Sequence, residues 1–84
     1  MKEIVFSRHA LIRIDQREAF EEEVKEVLLS GERFEARDGR IGFRKNFQCC
    51  RDAGKKIYHT KQLAVIVVEE ELRYIIVTVL VFWF

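Results

Sequence analysis

The stretch FEEEVKEVLLSG, residues 20–31, decides the helical part of the fold. Its apolar residues follow the i, i+4, i+7, i+8 spacing of an amphipathic helix: Phe20, Val24, Val27 and Leu28. Three consecutive glutamates fall in the first turn, where the helix dipole favours negative charge. Ser30-Gly31 is a typical helix end. We therefore predict a helix over residues 19–30.

Upstream of this helix, the sequence predicts a second, shorter one. Ser7 stands where an N-cap residue belongs, and we expect the helix to run over residues 8–16. Neither Gly nor Pro separates the two helices, so the sequence leaves open where the chain breaks near Arg17. Residues 2–6 favour a short strand or an extended lead-in.

Downstream of Gly31 the pattern changes to that of strands. Asp38-Gly39 is a strong hairpin signal between residues 33–37 and the alternating apolar residues of 41–49. Residues 52–55 indicate a loop, followed by long strands at 57–68 and 72–84. We predict a single α+β domain over residues 1–84. Its two N-terminal helices, preceded or not by the short strand, pack on one face of a four-stranded antiparallel sheet.

The last predicted strand is apolar on both faces, which helices on one side cannot cover. Strict alternation divides its residues into two sets: Tyr74, Ile76, Leu80, Phe82 and Phe84, and Ile75, Val77, Val79, Val81 and Trp83. One explanation is that another protein or a second copy of the chain covers the second face, which predicts a homodimer through the sheet. The other is that the terminal residues wrap past the sheet edge and cover themselves.

Composition excludes several classes of protein. The chain has 84 residues, of which 49% are apolar and 35% charged, unlike a disordered segment.

The adjacent Cys49 and Cys50 lack the spacing of a disulfide framework or a zinc site. They predict one buried and one outward thiol, or a vicinal redox pair. The longest apolar run, residues 74–84, is too short for a membrane span, and the N-terminus is charged too early for a signal peptide. We expect a cytoplasmic protein with no membrane association, metal or cofactor.

Charge is unevenly distributed, although the net charge is only +1. Residues 18–32 contain six acids and one lysine, whereas residues 33–61 contain nine bases and three acids. One interpretation is that helix and strands neutralise each other. The other is a phosphate-binding groove, in which Arg44, Lys45 and Lys61 contact RNA phosphate groups.

Three potential catalytic residues share a helical spacing. His9, Arg13 and Arg17 lie at i, i+4 and i+8, which places them on one stripe if the helix continues. This stripe flanks the face that we expect to be buried, centred on Ala10, Leu11 and Ile14. Arg13 and Arg17 have an alternative role as partners of the nearby acids Glu18 and Glu21.

A fourth candidate lies on the long strand of residues 57–68. Alternation places His59 and Lys61 on one face with Leu63, near the open end of the sheet. If the helices cover this face, we expect both side chains to approach His9.

This set suits metal-independent cleavage of RNA. In that reaction the ribose 2′-hydroxyl attacks the adjacent phosphorus, a base accepts its proton and an acid protonates the leaving oxygen. Histidine suits either proton transfer, and arginine stabilises the charge on the phosphoryl oxygens. We predict four catalytic residues: His9, Arg13, Arg17 and His59. Alternatively, both histidines are structural, with His9 holding the helix to the sheet through a backbone hydrogen bond.

The N-terminal pattern resembles a known family. Ile4-Val5-Phe6-Ser7-Arg8-His9-Ala10, then Arg13 and Arg17, then residues 22–28 resemble the domain of unknown function 4258. Its members combine a β-residue run, Ser or Thr, x-His-Ala, two arginines at steps of four and a short amphipathic helix. A Val-Thr-Val signature matches residues 77–79. After Arg17 many relatives have Gly-Ile-Ser, where this chain has Glu18-Ala19-Phe20.

The resemblance implies a fold and a function. The family is similar to the RelE and barnase-like ribonucleases, in which helices precede a four-stranded antiparallel sheet. It therefore implies a toxin-type endoribonuclease with an antitoxin-like partner, and a candidate site at His9, Arg13 and Arg17. The alternative function is a non-catalytic RNA- or protein-binding module that self-associates through its sheet.

Overall fold

Two helices and five strands make up residues 2–84, the part of the chain that the computed structural model describes. In chain order they are β1 (Glu3–Phe6), α1 (Arg8–Gln16), α2 (Glu21–Ser30), β2 (Glu32–Glu35), β3 (Ile41–Ala53), β4 (Lys56–Glu69) and β5 (Arg73–Trp83). The strands form one sheet in the order β1-β5-β4-β3-β2. Within this part of the chain, no helix is both long enough and apolar enough to cross a membrane.

The α+β prediction is confirmed, but the prediction of a four-stranded antiparallel sheet is wrong. Strands β2 to β5 are antiparallel neighbours. β1 adds a fifth strand and makes the sheet mixed, because it pairs in parallel with β5, from Glu3 opposite Arg73 to Phe6 opposite Ile76. The sequence indicates an extended segment here but not its partner. β1 pairs with the edge of β5 that faces away from β4, because the backbone N–H and C=O groups there would otherwise lack hydrogen-bond partners.

Helix α1 has the predicted bounds. The Ser7 hydroxyl accepts the Ala10 N–H at 3.1 Å, as an N-cap residue does. Helix α2 begins two residues later than predicted, after Phe20. Phe20 has no polar side-chain atom, so the Glu23 carboxylate caps this end alone by accepting the Phe20 N–H at 3.0 Å.

The chain breaks between the two helices at Glu18, which has a φ of 58°. The Ala19 N–H donates to the Ile14 carbonyl at 3.1 Å, and both side chains are buried. Helices often end in this way, on a residue in the left-handed conformation. Glycine is the usual residue there because it has no Cβ, and its absence hid the break from sequence analysis.

We expect Glu18→Gly to be more stable than Glu18→Gln by about 1 kcal/mol. Both variants lose the exposed ion pair with Arg51, but only glycine relieves the left-handed strain, which costs other residues about 1–2 kcal/mol. For a domain of this size the difference corresponds to a rise in Tm of about 4–8 °C. Thermal unfolding followed by circular dichroism measures it. An equal or lower Tm for the glycine variant would contradict the proposed strain.

The predicted hairpin at Asp38-Gly39 is confirmed. Both residues have positive φ, 59° and 70°, as a type I′ turn requires, and the Arg40 N–H donates to the Arg37 carbonyl at 3.2 Å. The predicted loop at residues 52–55 is shorter than expected, because β3 and β4 continue until Ala53 pairs with Lys56.

A β-bulge makes the predicted faces of the last strand wrong. Val67 pairs with Ile76, but Ile66 pairs with Thr78, so Val77 is an extra residue in β5. An extra residue moves every later side chain to the other face. Both sides of the bulge consequently contribute to the helix-side core: Tyr74, Ile76, Val79 and Val81.

The core lies between the helices and the sheet. Its largest fully buried side chains are Val24, Val27, Leu63, Val65, Val67, Ile76 and Val79. The expected burial of Leu11 is wrong, since this side chain is 45% exposed. Helix α1 contributes only a narrow face, Ala10 and Ile14, because it lies along the part of the β5 edge that β1 leaves unpaired, beyond Ile76. There the Ser7 hydroxyl donates to the Val77 carbonyl at 3.3 Å.

Candidate functional site

His9 and Arg13 lie one turn apart on α1, and Arg17 is the residue that directly follows the helix; we name these three residues the α1 stripe. Arg13 Nε donates to His9 Nε2 at 3.3 Å, and Arg13 Nη1 donates to Gln16 Oε1 at 3.1 Å. His9 is exposed and Arg13 is half-buried. In this hydrogen bond Nε2 of His9 acts as the acceptor, a role that only an unprotonated ring nitrogen can take.

The third member of the stripe is held against the sheet. Arg17 Nη1 donates to the Val79 carbonyl of β5 at 3.4 Å, and its side chain is half-buried. Arg17 also lines a cleft of about 290 Å³ together with Glu18, Arg51 and Trp83. None of the ion pairs in residues 2–84 includes a stripe residue, so the alternative pairing with Glu18 or Glu21 does not form.

His59 is not joined to the stripe. It lies near the start of β4 with an exposed side chain, and its backbone N–H donates to the Phe84 carbonyl at 2.8 Å. In the described part of the chain, no side-chain hydrogen bond or ion pair links His59 to His9 or Lys61. The catalytic role of His59 stays a prediction.

Lys61 faces the helices as expected, but in a buried ion pair. Its Nζ donates to the Glu18 carbonyl at 2.7 Å and to Glu23 Oε1 at 2.8 Å. The Lys61 side chain is only 8% exposed, and that of Glu23 is 22% exposed. The rings of Phe20 and Trp83 lie 5.5 and 5.7 Å from the ammonium.

The other predicted phosphate-binding residues are also paired with acids. Arg44 Nη2 lies 3.0 Å from Glu32 Oε1, and Lys45 Nζ lies 3.0 Å from Glu26 Oε1. Together with the Lys61–Glu23 and Arg51–Glu18 pairs, they connect the acidic residues 18–32 to the basic residues 33–61. The uneven charge of the sequence therefore serves mutual neutralisation. Phosphate binding by Arg44 or Lys45 stays a prediction and would compete with these pairs.

A fifth ion pair, between Arg33 and Glu69, makes the stability of the fold depend on pH. Arg33 forms two hydrogen bonds with the Glu69 carboxylate, at 2.9 and 3.3 Å, and Lys2 Nζ lies 3.3 Å from it. These hydrogen bonds, that of Arg33 above all, lower the pKa of Glu69 from its usual 4.5 to about 2. Because the pKa is lower in the folded state, the pair stabilises the fold above pH 4.5 and loses this contribution as the pH falls towards 2.

We therefore expect a fall in pH to lower the free energy of unfolding of the original chain more than that of its Glu69→Gln variant. The variant cannot titrate at this position, so the difference between the two urea midpoints should shrink as the pH falls from about 5 to 2. Urea unfolding at a series of pH values measures both midpoints. A constant difference would show that Glu69 titrates normally in the folded protein.

A cleft of about 600 Å³ lies beside the start of α2, and sequence analysis missed it. Of the predicted site residues, only Lys61 lines it. Its apolar wall consists of Phe20, Phe47 and Trp83. The sequence places Phe20 on the apolar face of α2, whereas the structure leaves it exposed at the N-cap, and the contribution of Trp83 depends on strand pairing.

Both cysteines line the same cleft at a bulge of β3. The register of β3 with β4 shifts between Gln48 and Arg51, and the two thiols lie in between. Cys49 is half-buried, Cys50 is exposed, and both are free. Within residues 2–84, no group of three or more His, Cys, Asp or Glu side chains is placed to hold a metal ion.

The structure thus defines a small α+β domain in which the two arginines of the α1 stripe form no ion pair within residues 2–84. The chain belongs to the family described as Domain of unknown function (DUF4258), whose profile matches residues 6–81. This match confirms the resemblance that the His9, Arg13 and Arg17 pattern indicates. No curated protein and no solved structure matches the chain.

Proposed function

We propose that this protein is a metal-independent endoribonuclease of toxin type that binds RNA phosphate groups at the α1 stripe. The observation that carries the proposal is the hydrogen bond between Arg13 and His9 on the exposed side of α1. No described carboxylate pairs with either residue, whereas the predicted phosphate contacts Arg44, Lys45 and Lys61 are neutralised. The stripe therefore offers a polyanion positive charge that no described carboxylate offsets through an ion pair.

The same hydrogen bond suggests a reaction scheme. A phosphate oxygen is a stronger acceptor for Arg13 than a neutral imidazole, so bound RNA draws the guanidinium away from His9. His9 Nε2 is then free to accept the proton of the 2′-hydroxyl, whose oxygen attacks the adjacent phosphorus. Arg13 and Arg17 stabilise the charge that develops on the phosphoryl oxygens. Since no side-chain hydrogen bond joins His59 to the stripe within residues 2–84, the scheme has water protonate the leaving 5′ oxygen.

Incubation of RNA with the protein in EDTA tests this proposal. We expect fragments that end in a 2′,3′-cyclic phosphate and a 5′-hydroxyl, and no cleavage of the same RNA with 2′-O-methyl groups, which lack the attacking proton. Intact RNA after long incubation with a high concentration of folded protein would contradict the nuclease proposal.

A second candidate function is a non-catalytic RNA-binding module. Within residues 2–84 neither His59 nor Lys61 is hydrogen-bonded to a stripe residue, and this favours the second candidate because no second proton-transfer group is joined to His9. This candidate keeps the phosphate contacts of the α1 stripe and predicts binding that weakens with salt but yields no product.

Both candidates predict that Arg13→Ala weakens RNA binding more than Arg44→Ala. Arg44 is the matched control, because its charge is already offset by Glu32. Loss of one phosphate contact should reduce the slope of log K against log salt concentration by about 0.7 for single-stranded RNA. Fluorescence anisotropy at several salt concentrations measures the slope. Equal changes in both variants would contradict phosphate binding at the stripe.

The toxin-type role includes an antitoxin-like protein partner and a relationship to RelE-like nucleases.

We also propose that the chain forms a homodimer through the sheet face away from the helices. Ile66, Thr78 and Leu80 line an apolar cleft of about 410 Å³ there, and Phe82 nearby in sequence is 45% exposed. Light scattering that shows a monomer at micromolar concentration would contradict the dimer.

A further inference from the structure

The cleft beside α2 borders the α1 stripe, and we propose that it binds one unpaired nucleobase of the RNA. This inference deepens the proposed function and rests on it for the identity of the ligand. Glu18, Arg51 and Trp83 line both this cleft and the smaller one that contains Arg17. A nucleotide with its phosphate at Arg17 therefore has the larger cleft directly beside it.

The size and walls of the cleft suit a flat aromatic ring. Its volume of about 600 Å³ is in the range of ligand sites. Phe20, Phe47 and Trp83 supply aromatic surface, and Phe20 is 63% exposed. Aromatic side chains bind single-stranded nucleic acids by stacking on the bases, largely without regard to sequence.

Charge in the cleft favours a base over a phosphate. Arg51 Nη1 lies 2.6 Å from a Glu18 oxygen and Lys61 Nζ lies 2.8 Å from a Glu23 oxygen, so two carboxylates offset two cations. A phosphate in the larger cleft would therefore gain no net attraction from these four charges. Only Glu18 extends into the smaller cleft of Arg17, where it is paired with Arg51, whereas Glu23 lines only the larger cleft, so we expect the backbone at the stripe and the uncharged base in the larger cleft.

Polar atoms in the cleft can bind the edge of a base. An ammonium has three N–H donors, and Lys61 uses two of them on the Glu18 carbonyl and Glu23. Its third donor has no hydrogen-bond partner among residues 2–84. That donor can bind a ring nitrogen or a carbonyl oxygen of a base, and the exposed Gln48 amide adds a donor and an acceptor.

Trp83 provides a direct test, because it is the only tryptophan of the chain. Three probes are titrated while its fluorescence is followed: adenosine, a 2′-O-methyl oligonucleotide that cannot be cleaved, and an abasic oligonucleotide with the same backbone. We expect adenosine and the intact oligonucleotide to change the emission of Trp83. The abasic oligonucleotide should bind, as judged by anisotropy, without this change.

Phe20→Ser is the informative variant. Serine is a preferred N-cap residue, so the variant should fold at least as stably as the original chain. Loss of one stacking surface should weaken binding of the intact oligonucleotide by about 5- to 150-fold and leave the abasic oligonucleotide unaffected. Leu29→Ser is the matched control, because Leu29 is 67% exposed on α2 and does not line the cleft.

The outcomes separate the base site from the proposed function. If adenosine leaves Trp83 unchanged and Phe20→Ser binds both oligonucleotides normally, the base site is overturned and phosphate binding at the stripe stands. If adenosine changes the emission but neither oligonucleotide binds at low salt, the cleft remains a base site and the action on RNA is overturned.

Discussion

His9→Ala is expected to lower the rate of RNA cleavage in EDTA by about 10²–10⁴-fold, the usual contribution of a positioned proton acceptor. The His9 side chain is exposed and, among residues 2–84, hydrogen-bonded only to Arg13, so its removal should leave the fold and its Tm unchanged within error. The cleavage rate at saturating protein, with circular dichroism of the same sample, measures both effects. Full activity of the alanine variant would contradict proton transfer by His9.

A second substitution distinguishes proton transfer from positioning. In His9→Gln the side-chain oxygen can still accept the hydrogen bond of Arg13 but cannot take up a proton at neutral pH. Activity as low as that of the alanine variant would support proton transfer, whereas restored activity would show that His9 only positions Arg13. His59→Ala is the matched control on the other histidine, and our scheme expects it to retain most of the activity.

Glu23→Ala is expected to lower the free energy of unfolding by about 3 kcal/mol, near the low end for a broken buried ion pair. The substitution leaves the buried Lys61 ammonium without an anionic partner. It also removes the only side-chain cap of α2, since the same Glu23 oxygen accepts the Phe20 N–H. Urea unfolding measures the change.

The Lys45–Glu26 pair supplies the control for this prediction. It also joins a strand lysine to a glutamate of α2, but the Glu26 side chain is 53% exposed. Glu26→Ala should therefore cost less than about 1 kcal/mol. The double variant Lys61→Met with Glu23→Gln should recover part of the loss, because it leaves no unpaired buried charge. Equal effects of Glu23→Ala and Glu26→Ala would contradict a buried pair.

Features that depend on neighbouring residues could be predicted from the sequence. Ser7 predicted the start of α1, and Asp38-Gly39 predicted its hairpin, because caps and turns are set by interactions over a few residues. The spacing of His9 and Arg13 likewise predicted that they share one side of α1, where the structure joins them by a hydrogen bond. The apolar periodicity of residues 20–31 also predicted α2 and the burial of Val24, Val27 and Leu28, but it wrongly included Phe20, whose side chain is exposed.

Features that depend on distant residues could not be predicted. The partner of Lys61 is Glu23, 38 positions away, and the parallel partner of β1 is the start of β5. Neither follows from local pattern, because strand pairing is chosen by the whole chain. The cleft at Phe20 and Trp83 was missed for the same reason, since its walls come from opposite ends of the sequence.

The amino-acid sequence by itself determined the α+β class, the helix start at Ser7, the β-turn at Asp38-Gly39 and the row of His9, Arg13 and Arg17. Only the tertiary structure decided which strand β1 joins, where the bulge at Val77 reverses the side chains, and which cations are neutralised. The reason is physical. Caps, turns and helical rows form within one or two turns of chain, whereas register and ion pairing depend on contacts that exist only after the sheet and helices have packed.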